Sequence, residues 1–388
     1  MKAVAAAGLG AQGASRAQFG LINLLKAGAA QLIVLHHLAF YGPMSDHVRP
    51  LLPGLIGWLS DSARIAVQVF LVIGGFLAAK SLSPAGAPGF AEPLKAVWRR
   101  YVKLAPPFLV ATLIAAIAST LASEWMSHHS ISPPPTLPQL GAHGLLLHGV
   151  LGYSSISAGA WYVAIDFQLY ALVVSVLWLA GWVAGPRLRQ WLMPVLTSLG
   201  LAFSLLYFNL DADWDNWAVY FFGSYGLGLM AWWAGDPARK PGTVFLLLVL
   251  MLLPALAALM VEFRSRIALA LVVACALFLF GRVKALSAGR GWALVHWLGR
   301  ISYSVFLIHF PVCLLVNAAF TRFAPLLPQW QGLGMLSAWG ASLLVGDLFY
   351  RWVELPLGRA VQSATLELRP ALLGHTITAR RVAQSNVR

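Results

Sequence analysis

The strongest constraint on this chain is a series of ten apolar segments, most of them long enough to cross a lipid bilayer. About 20 apolar residues suffice for one helical crossing. Only 10% of the 388 residues are charged and the mean hydropathy is +0.75, whereas soluble proteins carry about 25% charged residues. The pattern predicts an all-α membrane protein with about ten transmembrane helices, at residues 20–41, 64–80, 103–123, 160–183, 191–208, 216–234, 243–260, 266–281, 301–320 and 332–350.

The positive charges predict how these helices are oriented. With a cytoplasmic N-terminus, 22 of the 27 lysine and arginine residues fall on the inner side. Such an excess marks the cytoplasmic side of a membrane protein, so both termini are expected there. The net charge of +14 therefore follows from topology and requires no nucleic-acid partner. The outer cations are Arg49, Arg64, Arg264, Arg266 and Arg322.

We divide the chain into three parts on composition. Residues 1–19 are expected to be a cytoplasmic segment without a cleaved signal peptide, 20–360 a single transmembrane domain, and 361–388 a basic cytoplasmic tail. The longest loops, 42–63 and 124–159, lie outside. Within the second, residues 140–151 are expected to form an interfacial or re-entrant helix. The acidic loop at Asp211, Asp213 and Asp215 is interpreted as a solvated turn, and no metal site is expected.

Two ionisable residues share one face of the first segment. Lys26 and His37 are eleven residues apart, which places them about three turns and roughly 16 Å from each other. Ionisable groups within a span usually mark a pathway or a reaction site. Lys26 could instead be an anchor that extends to the membrane surface, and His37 an interfacial histidine. A neutral imidazole is also a suitable general base. His36 points about 100° away and is assigned a structural role.

Further polar residues follow in the third and fourth segments. Asp166 lies five residues beyond Trp161 in an apolar run, where a carboxylate needs a partner. It could orient a histidine, neutralise a lysine or form a structural ion pair. The cluster at 98–103 (WRRYVK) contains Arg99, Arg100 and Lys103. These cations are expected either to contact anionic lipid or to bind phosphate groups.

Six short motifs, in order over residues 20–356, resemble those of the acyltransferase-3 family of integral membrane acyltransferases. The spacing of Lys26 and His37 is similar to the family's Arg/Lys-x10-His. The other five lie at 70–77 (FLVIGGFL), 99–107 (RRYVKLAPP), 161–170 (WYVAIDFQLY), 299–311 (GRISYSVFLIHFP) and 353–356 (VELP). The chain differs from the family pattern by lysine for arginine at 26 and 103, aspartate for glutamate at 166, and glycine for serine at 74.

The resemblance implies an enzyme that takes an acyl group, acetyl by family habit, from cytoplasmic acyl-CoA to a hydroxyl of an extracytoplasmic or lipid-linked glycan. Acyl-CoA would be a co-substrate, and no bound cofactor is expected. The protein would lie in the inner membrane of a bacterium. His37 and Asp166 are the expected catalytic residues. The expected donor and substrate contacts are Lys26, Arg99, Arg100, Lys103, Trp161, Tyr170 and His309.

Other classes of function remain open on the sequence. A proton-coupled transporter or flippase of a glycan precursor or small metabolite also places histidine and aspartate within its spans. A lipid-binding membrane protein without catalytic activity is a third alternative.

Overall fold

The computed structural model describes residues 2–87, 89, 91–183, 185–282 and 292–360, and this part of the chain contains helices and connecting turns but no strand. A helix satisfies its own backbone polar groups, which is what a bilayer interior requires. The helices are α1 Lys2–Phe40, α2 Pro43–Val48, α3 Pro53–Asp61, α4 Val67–Leu82, α5 Pro93–Ser123, α6 Leu137–Gly144, α7 Ala160–Val183, α8 Pro186–Leu206, α9 Ala218–Gly235, α10 Pro241–Val261, α11 Ser265–Arg282, α12 Trp292–Phe323 and α13 Pro328–Phe349. The tail expected at 361–388 lies outside the described residues.

Eight helical segments of the described chain are long and apolar enough to cross a membrane, so this is a multi-pass membrane protein. They match eight of the ten expected spans. The segment expected at 266–281 is also an apolar helix, Ser265–Phe280, but it is shorter than the eight spans. The segment expected at 216–234 is α9, which packs against α4, α8 and α11. The eight spans are Gly20–Phe40, Ala63–Leu82, Pro93–Ser123, Ala160–Trp182, Trp191–Leu210, Pro241–Val261, Trp292–Phe323 and Pro328–Ala360.

The contact between α4 and α9 depends on glycine. A methyl group added at Gly75 would overlap the carbonyl oxygen of Tyr225, and one added at Gly228 would overlap that of Val72. Small residues allow helices in membranes to approach closely enough for backbone contact. Most of α9 is buried, and its neighbours include α7, the helix that carries Asp166.

The outer loop expected at 124–159 folds back along the bundle. Its helix α6 begins with a capping box, in which Thr136 and Gln139 satisfy each other's backbone N–H groups. The Tyr101 hydroxyl of α5 donates to the carbonyl of Gly144 over 2.7 Å, and Gln168 of α7 donates to Leu146. The loop therefore packs between α5 and α7 and leads directly into the start of α7.

Candidate active site

The two histidines from the first and the late motif meet in the interior. Nδ1 of His37 on α1 lies 2.6 Å from Nε2 of His309 on α12. The two rings are nearly parallel, with an interplanar angle of 6° and centroids 4.9 Å apart. Both side chains are buried, and His309 is inaccessible to solvent. Residues separated by 272 positions thus form one pair.

The backbone around His309 determines which nitrogen atoms carry hydrogen. Nδ1 of His309 lies 2.9 Å from the carbonyl oxygen of Phe306 and 3.1 Å from that of Val305. A carbonyl oxygen can only accept, so Nδ1 of His309 carries the hydrogen and its Nε2 accepts in the neutral ring. Nδ1 of His37 then donates to that nitrogen. By this assignment the lone pair of His37 lies on Nε2, the atom that can accept a proton.

Aromatic side chains enclose the histidine pair. The ring of Tyr41 lies 5.3 Å from that of His37 and 5.3 Å from that of Phe310. On the other side, Phe306 contacts His309 and Tyr162. Such packing limits ring rotation and holds the imidazoles in place. The ring of His36 also lies 5.0 Å from that of His37, but its Nδ1 donates to the carbonyl oxygen of Leu59 over 2.8 Å.

A buried ion pair forms the second part of the site. The guanidinium group of Arg100 on α5 donates to the carboxylate of Asp166 on α7, and Asp166 is only 5% exposed. Arg100 also lies over the ring of Tyr170, 5.2 Å from its centroid. Among the described residues, the Nε atom of Arg100 and the hydroxyl group of the buried Tyr225 have no hydrogen-bond partner. Asp166 thus neutralises Arg100, and His309 takes the position beside His37 that the sequence analysis considered for Asp166.

A charged cluster forms the third part, on the Lys26 side of the histidine pair. Lys26 on α1, Lys103 on α5 and Glu354 after α13 interact electrostatically. The Ser304 hydroxyl donates to the Glu354 carboxylate over 2.5 Å. Beside them, the Tyr303 hydroxyl donates to the carbonyl oxygen of Leu104 over 3.1 Å.

The other expected site residues lie near these three groups without joining them. Arg99 is exposed at the start of α5 and interacts electrostatically with Tyr170. The ring of Trp161 packs against Phe221 of α9, with centroids 5.4 Å apart, and contacts the neighbouring ring of Tyr162. Trp161 therefore stands at the entrance of α7, two turns before Tyr170.

Sequence reasoning missed several residues that complete the site. Glu354 belonged to a quoted motif but received no role, and Ser304 and Tyr303 lay within the motif that contains His309. For Glu354 a signal was present, because a carboxylate close to the end of the last predicted span, 332–350, needs a partner. Tyr225 carried no comparable signal, since tyrosine is common in apolar helices.

Comparison with known proteins agrees with this arrangement of motifs. A family model described as an acyltransferase domain matches residues 20–347, which is most of the chain. The matched region contains the histidine pair, the Arg100–Asp166 ion pair and both lysines of the charged cluster. Glu354 lies just beyond its end.

A shorter similarity links the chain to one curated animal protein. The chain is 30% identical over 138 residues to "Regulator of hypoxia-inducible factor 1" from Caenorhabditis elegans. The match covers 34% of this chain and 25% of that protein, so the chain spans about a quarter of its length. No solved structure matches the chain.

Proposed function

Because this chain belongs to the acyltransferase-3 family, we propose that it transfers an acyl group from cytoplasmic acyl-CoA to a hydroxyl group of an extracytoplasmic or lipid-linked glycan. Acetyl is the proposed acyl group, and the inner membrane of a bacterium is the proposed location. The bond between His37 and His309 is the observation that carries this proposal, because it leaves a basic nitrogen atom in a buried site.

The proposed topology has ten membrane-crossing helices with both termini in the cytoplasm. Eight come from the apolar spans, and α9 and α11 complete the count. The excess of lysine and arginine on the inner side supports this orientation. Lys26 then lies towards the cytoplasm and His37 towards the outside, roughly 16 Å apart along α1.

The donor is proposed to enter at the lysine side. Lys103 is exposed and Lys26 is partly exposed, which supports the proposal that donor phosphate groups approach these two side chains. Lysine binds phosphate as a compact point charge, which suits the phosphate groups of a nucleotide-bearing thioester. Arg99 is positioned to add charge at the edge of this entrance. Arg100 has a different role in the proposal, since Asp166 already neutralises it.

The chemical step is proposed to be direct general-base catalysis by His37. Its Nε2 atom takes the proton of the acceptor hydroxyl while that oxygen attacks the thioester carbonyl carbon. The carbon–sulfur bond then breaks and the imidazolium returns the proton to the leaving thiolate. His309 holds the His37 ring in the correct tautomer and stabilises its charged form, as a hydrogen-bonded partner does in other base-assisted sites.

Asp166, Trp161 and Tyr170 are proposed to shape the path between the lysines and the histidines. Asp166 fixes Arg100 across the gap between α5 and α7, and Tyr170 packs beneath the guanidinium group. Trp161 offers a flat apolar face at the outer end of α7, which suits a sugar ring of the acceptor. Membrane lipids are the remaining expected partners.

The proposal is tested with purified protein in vesicles that contain acetyl-CoA labelled on the acetyl group. We expect free thiol to be released and label to be recovered, in equal amounts, on glycan presented at the opposite face. A transporter predicts instead that intact glycan precursor crosses the membrane without consuming acetyl-CoA. Proton flux coupled to that movement, with no thiol released, would reject the acyltransferase assignment.

A further inference from the structure

Glu354 occupies an unusual backbone position. Helix α13 ends at Phe349, residues Tyr350–Glu354 form a π-helical turn, and helical structure then resumes to residue 360. A π turn changes the face on which the following side chains project, and such turns occur frequently at functional sites. Here the carboxylate accepts a hydrogen bond from Ser304 on α12. The turn therefore directs an acidic side chain towards the bundle.

The carboxylate lies among cations without being closed into an ion pair. Glu354 interacts electrostatically with Lys26 and Lys103, which also repel each other. In the part of the chain that the structure describes, no nitrogen–oxygen distance of 4.0 Å or less joins Glu354 to either lysine. The three charged groups therefore interact without direct ion-pair contact, and the hydrogen bond from Ser304 holds the carboxylate in its position.

We propose that Glu354 is a resident counter-anion, which competes with donor phosphate groups for Lys26 and Lys103 and so speeds the release of the free nucleotide thiol. This inference rests on the proposed function, because it assumes that the donor is the phosphate-bearing acyl-CoA. Two neighbouring cations in a partly desolvated site together attract an anion strongly. With no carboxylate nearby, a polyanionic product would leave slowly. With Glu354 present, the lysines have a partner when the product departs.

A competing role and a structural role for Glu354 predict opposite changes in anion affinity when the residue is replaced. If Glu354 only held the helices together, its removal would loosen the lysines and weaken the binding of an anion. If it competes with phosphate, its neutral isostere binds the anion more tightly, because one negative charge near the phosphates is gone. At an effective dielectric constant near 20, a unit charge about 12 Å from the phosphate groups changes their affinity by about tenfold, and a closer charge changes it by more.

The test measures equilibrium binding of coenzyme A to the full-length protein in detergent. We expect Glu354→Gln to bind coenzyme A about tenfold more tightly than the wild type. In turnover assays the same variant should show a lower KM for acetyl-CoA, a lower kcat and stronger product inhibition. Glu354→Asp, which keeps the charge, should restore kcat towards the wild-type value. Glu354→Ser supplies a second neutral side chain and decides the question if Glu354→Gln does not elute as a folded protein.

The matched control is Asp347→Asn, two turns earlier on α13. Asp347 accepts from Trp297 over 2.8 Å and pairs with Arg351, and its variant should bind coenzyme A as the wild type does. Unchanged or weaker binding by a folded Glu354→Gln protein would overturn the inference while leaving the donor assignment in place. A wild-type protein that does not bind coenzyme A would overturn both.

Discussion

Nδ1 of His37 donates a hydrogen bond to Nε2 of His309 over 2.6 Å, and the carbonyl groups of Val305 and Phe306 fix the hydrogen of the second ring. The basicity of His37 at Nε2 therefore depends on a residue from a different helix. This relationship joins two histidines from separate motifs into one hydrogen-bonded pair.

The first prediction concerns His309. We predict that His309→Ala lowers kcat by about 10- to 100-fold, because His37 loses the acceptor that selects its tautomer. General-base catalysis as a whole accelerates a reaction by about 10²- to 10⁴-fold. His309→Gln offers a side-chain carbonyl as acceptor and should recover part of the rate. The measurement is the pH dependence of kcat, whose acidic limb should shift in His309→Ala. An unchanged profile would assign His309 to packing alone.

The second prediction concerns the ion pair of Arg100 and Asp166. We predict that Asp166→Asn lowers the free energy of unfolding by up to about 3–5 kcal/mol, since it leaves Arg100, whose side chain is 24% exposed, without its counter-charge. The double variant Arg100→Met/Asp166→Leu should recover much of this loss, although not the activity. Thermal unfolding in detergent provides the measurement.

The exposed pair of Lys95 and Glu92, 3.3 Å apart, is the control for the buried ion pair. Glu92→Gln should change the free energy of unfolding by less than about 1 kcal/mol. Equal effects at the two sites would mean that Arg100 and Asp166 are more hydrated than the structure indicates.

The helical spans were largely predictable from the sequence, but the contacts between their polar residues were not. Segment length and apolarity identify a span such as Pro241–Val261 without reference to any other segment. The partner of Asp166 required the fold, because a carboxylate in a span predicts only that some partner exists. Arg100, 66 residues away, was assigned to donor phosphate instead.

The helix α9 and residue Glu354 show two further limits of the sequence. The sequence predicted α9 as a span at 216–234 but not its packing inside the bundle, against α4, α8 and α11. The π turn before Glu354 interrupts the 3.6-residue period on which a prediction of facing side chains depends. A regular helix would have placed this carboxylate on a different face.

The third prediction tests the close contact of α4 and α9. We predict that Gly228→Ala destabilises the protein by about 1–3 kcal/mol or more, because the added methyl group overlaps the Val72 carbonyl oxygen. Gly340→Ala on α13 meets no atom within 4 Å and should be neutral or slightly stabilising. Thermal unfolding of both variants gives the comparison. Similar unfolding midpoints would contradict the backbone contact.

The fourth prediction concerns acid sensitivity of the loop at His148, outside the candidate spans. Burial and the neighbouring His143 lower the pKa of His148 to about 3, below the value of about 6.5 for an unfolded chain. The unfolded state therefore binds the proton first, and stability is lost as the pH falls from about 6.5 towards 3. His148→Phe, which keeps a flat ring against His143 and Phe108, should lessen this loss.

The measurement is the unfolding midpoint at pH 7 and pH 4.5 for the wild type and His148→Phe. The exposed His129 provides the control, and His129→Phe should retain the wild-type acid sensitivity. An equal fall in midpoint for His148→Phe and the wild type would show that this imidazole does not contribute.

The central claim is that His37 is the general base of acyl transfer, and one comparison tests it most directly. Labelled acetyl-CoA is supplied on the Lys26 side of vesicles that contain the wild type, His37→Ala or the control His36→Asn, whose side chain can still donate to Leu59. We predict transfer of label to glycan by the wild type and His36→Asn, and a loss of at least about 10² in rate for folded His37→Ala. Transfer by His37→Ala at the wild-type rate would contradict the claim.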